Sequence, residues 1–199
     1  MSSFDHDVRL LILPGLHGSG SDHWQSWLEA SYPGAVRPVM SDWGHADADR
    51  WASHIDLTLA QHRAGGWVAV AHSFGCLALA RYAARGGRAV QGALMVAPAN
   101  PDRFELDERL VDGPLPFPST LVTSDNDPWM SPADARYFGE RWGSQIVGAG
   151  EAGHINPAAG YGPWPLGRQL VERHVQRLSA NLPRRPREQT APMALGFAV

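Results

Sequence analysis

Short apolar runs alternate with amphipathic stretches along this chain. The first run, VRLLILPG (Val8 to Gly15), contains LLIL without polar alternation, which predicts a strand covered on both faces. Five further runs predict strands: AVRPVM, GGWVAVAHS, VQGALMVAPA, STLVTSDNDP and SQIVGAG. Of these five, AVRPVM is the weakest candidate. Strands that alternate with helices predict a mostly parallel sheet with helices on both faces.

The stretches between these runs predict helices. Asp22 is the expected N-cap of the first, HWQSWLEASY, and the second extends from Asp49 to Ala64. The others are FGCLALARYAAR, SPADARYFGERWG and PLGRQLVERHVQRLSA, and residues 100–118 are expected to form a loop. We find no repeat or linker, which predicts one domain over residues 1–180 and a loosely attached tail, dispensable for chemistry, over 181–199.

The composition is that of a globular protein, with 44% hydrophobic and 19% charged residues. A net charge of -3 gives no electrostatic reason to expect nucleic acid as a partner, and no apolar run approaches the ~20 residues of a membrane span. The polar N-terminus, MSSFDHDVRL, does not resemble a secretory signal, so we expect a cytoplasmic enzyme. One cysteine offers no metal cluster, and we expect no metal and no cofactor. All basic residues are arginine, which suggests a bacterial source.

Ser73 lies in VAHSFGC, at the junction of a predicted buried strand and a helix. The pattern G-x-S-x-G at such a turn is a nucleophile elbow, in which small residues let strand and helix approach. Here the two small residues are Ala71 and Gly75, and alanine is a departure from the pattern. The alternative interpretation is an ordinary serine N-cap of the helix that begins at Phe74.

A serine hydroxyl is a poor nucleophile unless a base takes its proton. In a fold of this type the order along the chain is Ser, then Asp or Glu, then His. Asp127 in TSDNDPWM follows the fifth predicted strand, and His154 in GEAGHINP follows the sixth. We therefore predict that Ser73 is the nucleophile, that His154 is general base and then general acid, and that Asp127 orients the imidazole.

Other carboxylates compete for the orienting role. Asp125 can be a turn residue that bonds its own backbone, whereas Pro128 holds Asp127 extended, which favours Asp127. Asp102 or Asp107, in the loop after the fourth strand, could supply the acid instead.

The loop PGLHGSG follows the first strand and is expected to supply part of an oxyanion hole. The backbone N–H of Phe74 and that of Leu16 are the two candidate donors. His17 is a candidate neighbour of the substrate pocket, and His72 is expected to be packed and hydrogen-bonded. His17 and His23 lack the spacing of metal ligands.

Several tryptophans are candidates for the wall of the pocket, although core packing is the commoner fate of this residue. The candidates are Trp24, Trp43, Trp129 and Trp164.

In chain order, PGLHGSGSDHW, AHSFGC, LMVAPA, SDNDP and GHINPAAGYGPW resemble segments of the small serine hydrolases related to retinoblastoma-binding protein 9, within the α/β-hydrolase superfamily. The resemblance extends from about Val8 to Leu178, and GHIN followed by GYGPW is its most specific part. It implies a single-domain, three-layer α/β-hydrolase fold without a large cap domain, and a six-stranded parallel sheet of order 2-1-3-4-5-6. It also implies a triad of Ser73, Asp127 and His154.

These observations predict a serine hydrolase, a carboxylesterase that acts on a small-molecule ester through an acyl-enzyme. Two alternatives stay open at this point. One is a non-catalytic protein of the same fold that binds a protein partner, for which the sequence gives no indication. The other is an acyltransferase that uses the same three residues.

Overall fold

The computed structural model describes residues 8–106 and 109–182. Its centre is a five-stranded parallel sheet in which the strands lie side by side in chain order. The strands are β1 (Val8–Leu13), β2 (Gly66–His72), β3 (Val90–Val96), β4 (Ser119–Thr123) and β5 (Gln145–Gly148).

The strand predicted at AVRPVM is the main error of the sequence-based description of the fold. AVRPVM contributes only one bridge, between Val36 and Leu11, so the sheet has five strands and its order is not 2-1-3-4-5-6. The N–H of Val36 donates to the carbonyl of Leu10 at 2.9 Å, and the N–H of Ile12 donates to the carbonyl of Val36 at 2.8 Å. The next donor in this ladder would be residue 38, which is a proline and has no N–H, so the pairing stops.

In the described part of the chain, five α-helices connect and cover the strands: α1 (Trp24–Ala30), α2 (Ala48–Gln61), α3 (Phe74–Ala84), α4 (Pro132–Arg141) and α5 (Pro165–Asn181). The N-cap of α1 is His23 and not Asp22, because the imidazole Nδ1 of His23 accepts the N–H of Gln25. A short 3₁₀ helix (Pro101–Phe104) lies in the predicted loop after β3, and a second (Pro157–Ala159) precedes α5.

Each face of the sheet has its own hydrophobic core, so the three-layer arrangement is confirmed. Along β1, Leu11 and Leu13 point into the core beneath α2, α3 and α4, while Leu10 and Ile12 point into the core beneath α1 and α5. The alternation follows from the period of two along a strand, and both faces are apolar because both are covered.

No helix within residues 8–106 and 109–182 is long and apolar enough to cross a membrane. The tail prediction concerns mainly residues 183–199, which lie outside the described residues, as does Asp107. Helix α5 ends at Asn181, one residue beyond the predicted boundary.

Candidate active site

Ser73 occupies the turn between β2 and α3 with φ 52° and ψ −123°, a backbone conformation that is costly for a residue with a Cβ. The side chain of Ser73 makes no capping hydrogen bond to α3. Its Oγ lies 2.9 Å from Nε2 of His154 instead. An ordinary N-cap serine therefore does not describe this turn, and the hydroxyl is directed at an imidazole.

Small residues allow this turn to pack against the end of β1. A Cβ added to Gly75 would lie 2.4 Å from the carbonyl oxygen of Leu13 and 2.5 Å from that of Pro14, so only glycine fits there. Ala71, the departure from the elbow pattern, is fully buried without disturbing the parallel register. On the opposite side, a Cβ on Gly15 would lie 2.8 Å from the Cβ of Ser73.

His154 joins Ser73 to a buried carboxylate. Its Nδ1 lies 2.9 Å from each carboxylate oxygen of Asp127, whose side chain is only 3% exposed. Oδ1 of Asp127 also accepts the backbone N–H of Trp129 at 2.9 Å. Because a carboxylate only accepts hydrogen bonds, Nδ1 carries the imidazole proton and Nε2 is left to accept the proton of Ser73.

Each of these side chains follows the carboxyl end of a different strand: Ser73 follows β2, Asp127 follows β4, and His154 follows β5. This is the edge where active sites of parallel sheets form. The structure therefore brings together the three residues that the sequence analysis selected.

The competing acids do not reach His154. Asp125 is exposed, and its backbone N–H donates to the carbonyl of Gly150 at 2.8 Å. Asp102 is exposed on the 3₁₀ helix after β3. Of the acidic residues that the structure describes, Asp127 alone bonds the imidazole.

A hydrogen-bond network that the sequence analysis missed joins the segments that carry Asp127 and His154. Ser124 donates to Oδ1 of Asn126 at 3.0 Å and accepts the N–H of Ala152 at 3.0 Å. The same Oδ1 of Asn126 accepts the N–H of Gly153 at 2.6 Å. The sequence signal for this network is the cluster of turn-forming polar residues in SDNDP.

The buried ring of His72 holds the backbone of His154 through a hydrogen bond. Burial lowers the pKa of His72 well below that of an exposed histidine, so the ring is neutral. Nε2 of His72 donates to the carbonyl of His154 at 2.9 Å. The next carbonyl, that of Ile155, accepts the indole N–H of Trp24 at 2.9 Å, so two buried donors fix this loop. His72 is packed and hydrogen-bonded, as expected.

Two backbone N–H groups near Ser73 have no acceptor within the described part of the chain. They belong to Leu16, in the loop after β1, and to Phe74, the first residue of α3. The N-terminus of α3 adds the positive end of its dipole at the same place. These donors are available for a negatively charged oxygen on a group attached to Ser73.

A cavity of about 680 Å³ opens beside Ser73 and His154. His17 and Trp129 line it, as expected from the sequence. Trp24 and Trp164 do not, because their rings pack on each other at 5.2 Å in the core beneath α1 and α5. Trp43 does not line it either and packs on Trp51 at 5.0 Å.

The sequence analysis missed several residues of the cavity wall: His23, Asn100, Arg103, Phe104, Asn156 and Pro157. Burial, together with the charge of Arg37, lowers the pKa of His23 to about 4, so this imidazole is neutral near pH 7. Within residues 8–106 and 109–182, no group of three or more His, Cys, Asp or Glu side chains could hold a metal ion.

The chain matches a known family and solved structures. The model of a family described as serine hydrolase matches residues 10–173. None of the curated proteins compared with the chain matches it. Among solved structures, a protein described as a YdeN-like hydrolase from Pectobacterium atrosepticum has 38% sequence identity and a TM-score of 0.82, over 88% of this chain and 93% of that one. The ydeN gene product of Bacillus subtilis has 18% identity and a TM-score of 0.69, over 84% of this chain and 98% of that one.

Proposed function

Because this chain belongs to the serine hydrolase family and is an enzyme of the α/β-hydrolase type, we propose that it hydrolyses small carboxylic esters with Ser73 as the nucleophile. The observation that carries the proposal is the chain of hydrogen bonds from Ser73 Oγ through His154 to Asp127, each of 2.9 Å. Serine, a base and an orienting carboxylate in this arrangement are what nucleophilic catalysis at an acyl carbon requires.

The first half of the reaction forms an acyl-enzyme. Nε2 of His154 takes the proton of Ser73 as Oγ attacks the ester carbonyl carbon, and the imidazolium is stabilised by Asp127. The carbonyl oxygen becomes an oxyanion and accepts hydrogen bonds from the N–H groups of Leu16 and Phe74. His154 then gives its proton to the leaving alcohol oxygen as the bond between that oxygen and the acyl carbon breaks.

The second half releases the acid by the same groups. A water molecule gives a proton to His154 as its oxygen attacks the acyl carbon, and the bond to Ser73 Oγ breaks as Oγ takes the proton back. Both oxygens of Asp127 are acceptors, so Nδ1 of His154 keeps its proton and donates to them. Asp127 therefore keeps Nε2 as the nitrogen that exchanges protons in both halves of the reaction. The volume of the cavity, about 680 Å³, supports a small substrate.

The proposal is tested by labelling with a fluorophosphonate, which reacts with activated serines. The wild-type protein should carry one adduct on Ser73 and should hydrolyse short p-nitrophenyl esters. Ser73→Ala should lose both properties, whereas Ser53→Ala, which changes a serine on α2, should keep both. An adduct on a different serine, or a folded wild-type protein that neither reacts nor hydrolyses any ester, would refute the assignment.

A further inference from the structure

We propose that the substrate carries a carboxylate and that Arg103 binds it in the cavity beside Ser73. This inference rests on the proposed ester hydrolysis and adds the substrate class and a specificity-determining residue. Arg103 is the only arginine that lines the cavity among the described residues, and no described Asp or Glu lines it. The wall therefore carries a fixed positive charge that no carboxylate of the wall offsets.

Two of the four histidines that line the wall, His23 and His72, do not add to this charge. Burial lowers the pKa of His23 to about 4 and that of His72 well below its usual range. Both rings are neutral near pH 7 and contribute no charge. The carboxylate of Asp127 lies behind His154, with its side chain 3% exposed.

Arg103 has a defined position relative to the nucleophile. It lies on the 3₁₀ helix Pro101–Phe104, which is capped by the Asn100 side chain through a 2.9 Å bond from the N–H of Asp102. The ring of Phe104, its neighbour, packs on Phe74 with 5.0 Å between centroids. The segment that carries Arg103 is therefore packed against the residue that follows Ser73.

Trp129 places the guanidinium of Arg103 near His154. Cζ of Arg103 lies 5.2 Å from the centre of the Trp129 ring, and that ring is 6.4 Å from the ring of His154. The backbone of Trp129 is held by its main-chain N–H, which donates to Oδ1 of Asp127. The ring of Trp129 thus neighbours both the cation and the proposed general base.

The hydrogen-bonding edge of Arg103 is available. No carboxylate contacts it within residues 8–106 and 109–182. Asp134, at the start of α4, accepts hydrogen bonds from Asn100 at 3.4 Å and from Ser131 at 2.8 Å. The guanidinium of Arg103 lies over the ring of Trp129, and a guanidinium can bind a carboxylate through two parallel hydrogen bonds.

The expected effect is moderate, because Arg103 is exposed and water screens its charge. We expect a preference of about tenfold in kcat/KM for a carboxylate-bearing ester over its uncharged equivalent, from one charge-assisted contact. Because the contact is exposed, the preference should shrink as the salt concentration rises.

The test uses two pairs of esters, each matched in shape. In the first pair, 4-acetoxybenzoate and 4-acetoxybenzamide, the charge is on the alcohol portion. In the second, mono-4-nitrophenyl adipate and its terminal amide, the charge is on the acyl portion. For each pair the ratio of kcat/KM values is measured and normalised to the ratio of hydroxide-catalysed rates, and the pair with the larger ratio locates the carboxylate.

The wild-type enzyme should prefer the charged member of at least one pair. Arg103→Met, which keeps an apolar stem over Trp129, should bring that ratio close to one, and Arg103→Lys should retain part of it. Arg136→Met, which removes an exposed arginine of α4 outside the cavity, should leave the ratio unchanged.

Ratios near one for both pairs in the wild type would overturn this inference while the proposed function stands. A preference that survives Arg103→Met would overturn the role of Arg103. If the folded wild-type protein hydrolyses short p-nitrophenyl esters but none of these four, this inference alone is overturned. If it hydrolyses no ester and does not react with the fluorophosphonate, the proposed function is overturned and this inference with it.

Discussion

Replacing Asp127 by asparagine should disable the proposed general base while leaving the fold intact. In the wild type both carboxylate oxygens lie 2.9 Å from Nδ1 of His154, and Oδ1 also accepts the N–H of Trp129. Asparagine has one oxygen, which the N–H of Trp129 holds at the Oδ1 position. The amide nitrogen then takes the position of Oδ2 and presents a donor to Nδ1.

The consequence is a change of tautomer. A donor facing Nδ1 favours the imidazole with its proton on Nε2, and that nitrogen can no longer accept the proton of Ser73. In a triad protease of another fold, the same substitution costs about 10⁴ in kcat. We expect Asp127→Asn to lose roughly 10²–10⁴ in kcat, or about 3–5 kcal/mol of transition-state stabilisation. The side chain is 3% exposed, so water cannot readily take the place of Oδ2 as an acceptor for Nδ1.

The matched control is Asp125→Asn, two residues earlier on the same strand exit. Asp125 is exposed and holds the turn through its backbone N–H, which asparagine retains, so activity should stay within a few-fold. The assay is kcat/KM with a short p-nitrophenyl ester, together with circular dichroism to verify folding. The reasoning is refuted if both variants lose the same factor, or if folded Asp127→Asn remains within a few-fold of wild type.

Two further predictions concern the turn at Ser73 and the dependence of stability on pH. Gly75→Ala should reduce kcat/KM at least tenfold and destabilise the fold by about 1–3 kcal/mol, because the added Cβ would meet the carbonyl of Leu13. Gly148→Ala is the control for both measurements, because a Cβ at that position would lie in open space. Burial lowers the pKa of His72 and that of His174 in the folded protein. Between pH 7 and about 5 the unfolded chain therefore binds more protons than the folded protein, so the free energy of unfolding should fall as the pH falls. Equal urea-unfolding midpoints at pH 7 and pH 5 would contradict this second expectation.

The sequence determined the fold class and the family through features that are local in the chain. Apolar runs such as that of β1 have no polar alternation because both faces of a parallel strand are covered. This hydrophobic pattern by itself predicts a sheet with a layer of helices on each face. The resemblance to small serine hydrolases is confirmed by the family match over residues 10–173. The failure of AVRPVM to form a full strand was also predictable from the sequence, since Pro38 cannot donate to the ladder.

The candidate site was predictable to the extent that it depends on chain order. Ser73, Asp127 and His154 each follow an apolar run, and the carboxyl ends of parallel strands meet at one edge, so order along the chain implies proximity. The choice of Asp127 over Asp125 rested on the turn role open to Asp125, on the restriction that Pro128 places on the residue before it, and on the expected position of the acid at the strand exit. Their roles in catalysis stay predictions until they are measured.

Only the tertiary structure decided which residues form the wall of the cavity. A tryptophan satisfies a core and a pocket equally well, so sequence could not separate the buried Trp24 and Trp164 from the exposed Trp129. Arg103 could not be found from its surroundings in the chain either, because its position depends on the Phe104–Phe74 contact and on a ring from the segment after β4. Contacts between segments that are distant in the chain have no local period, and they emerge only when the sheet aligns the strand ends.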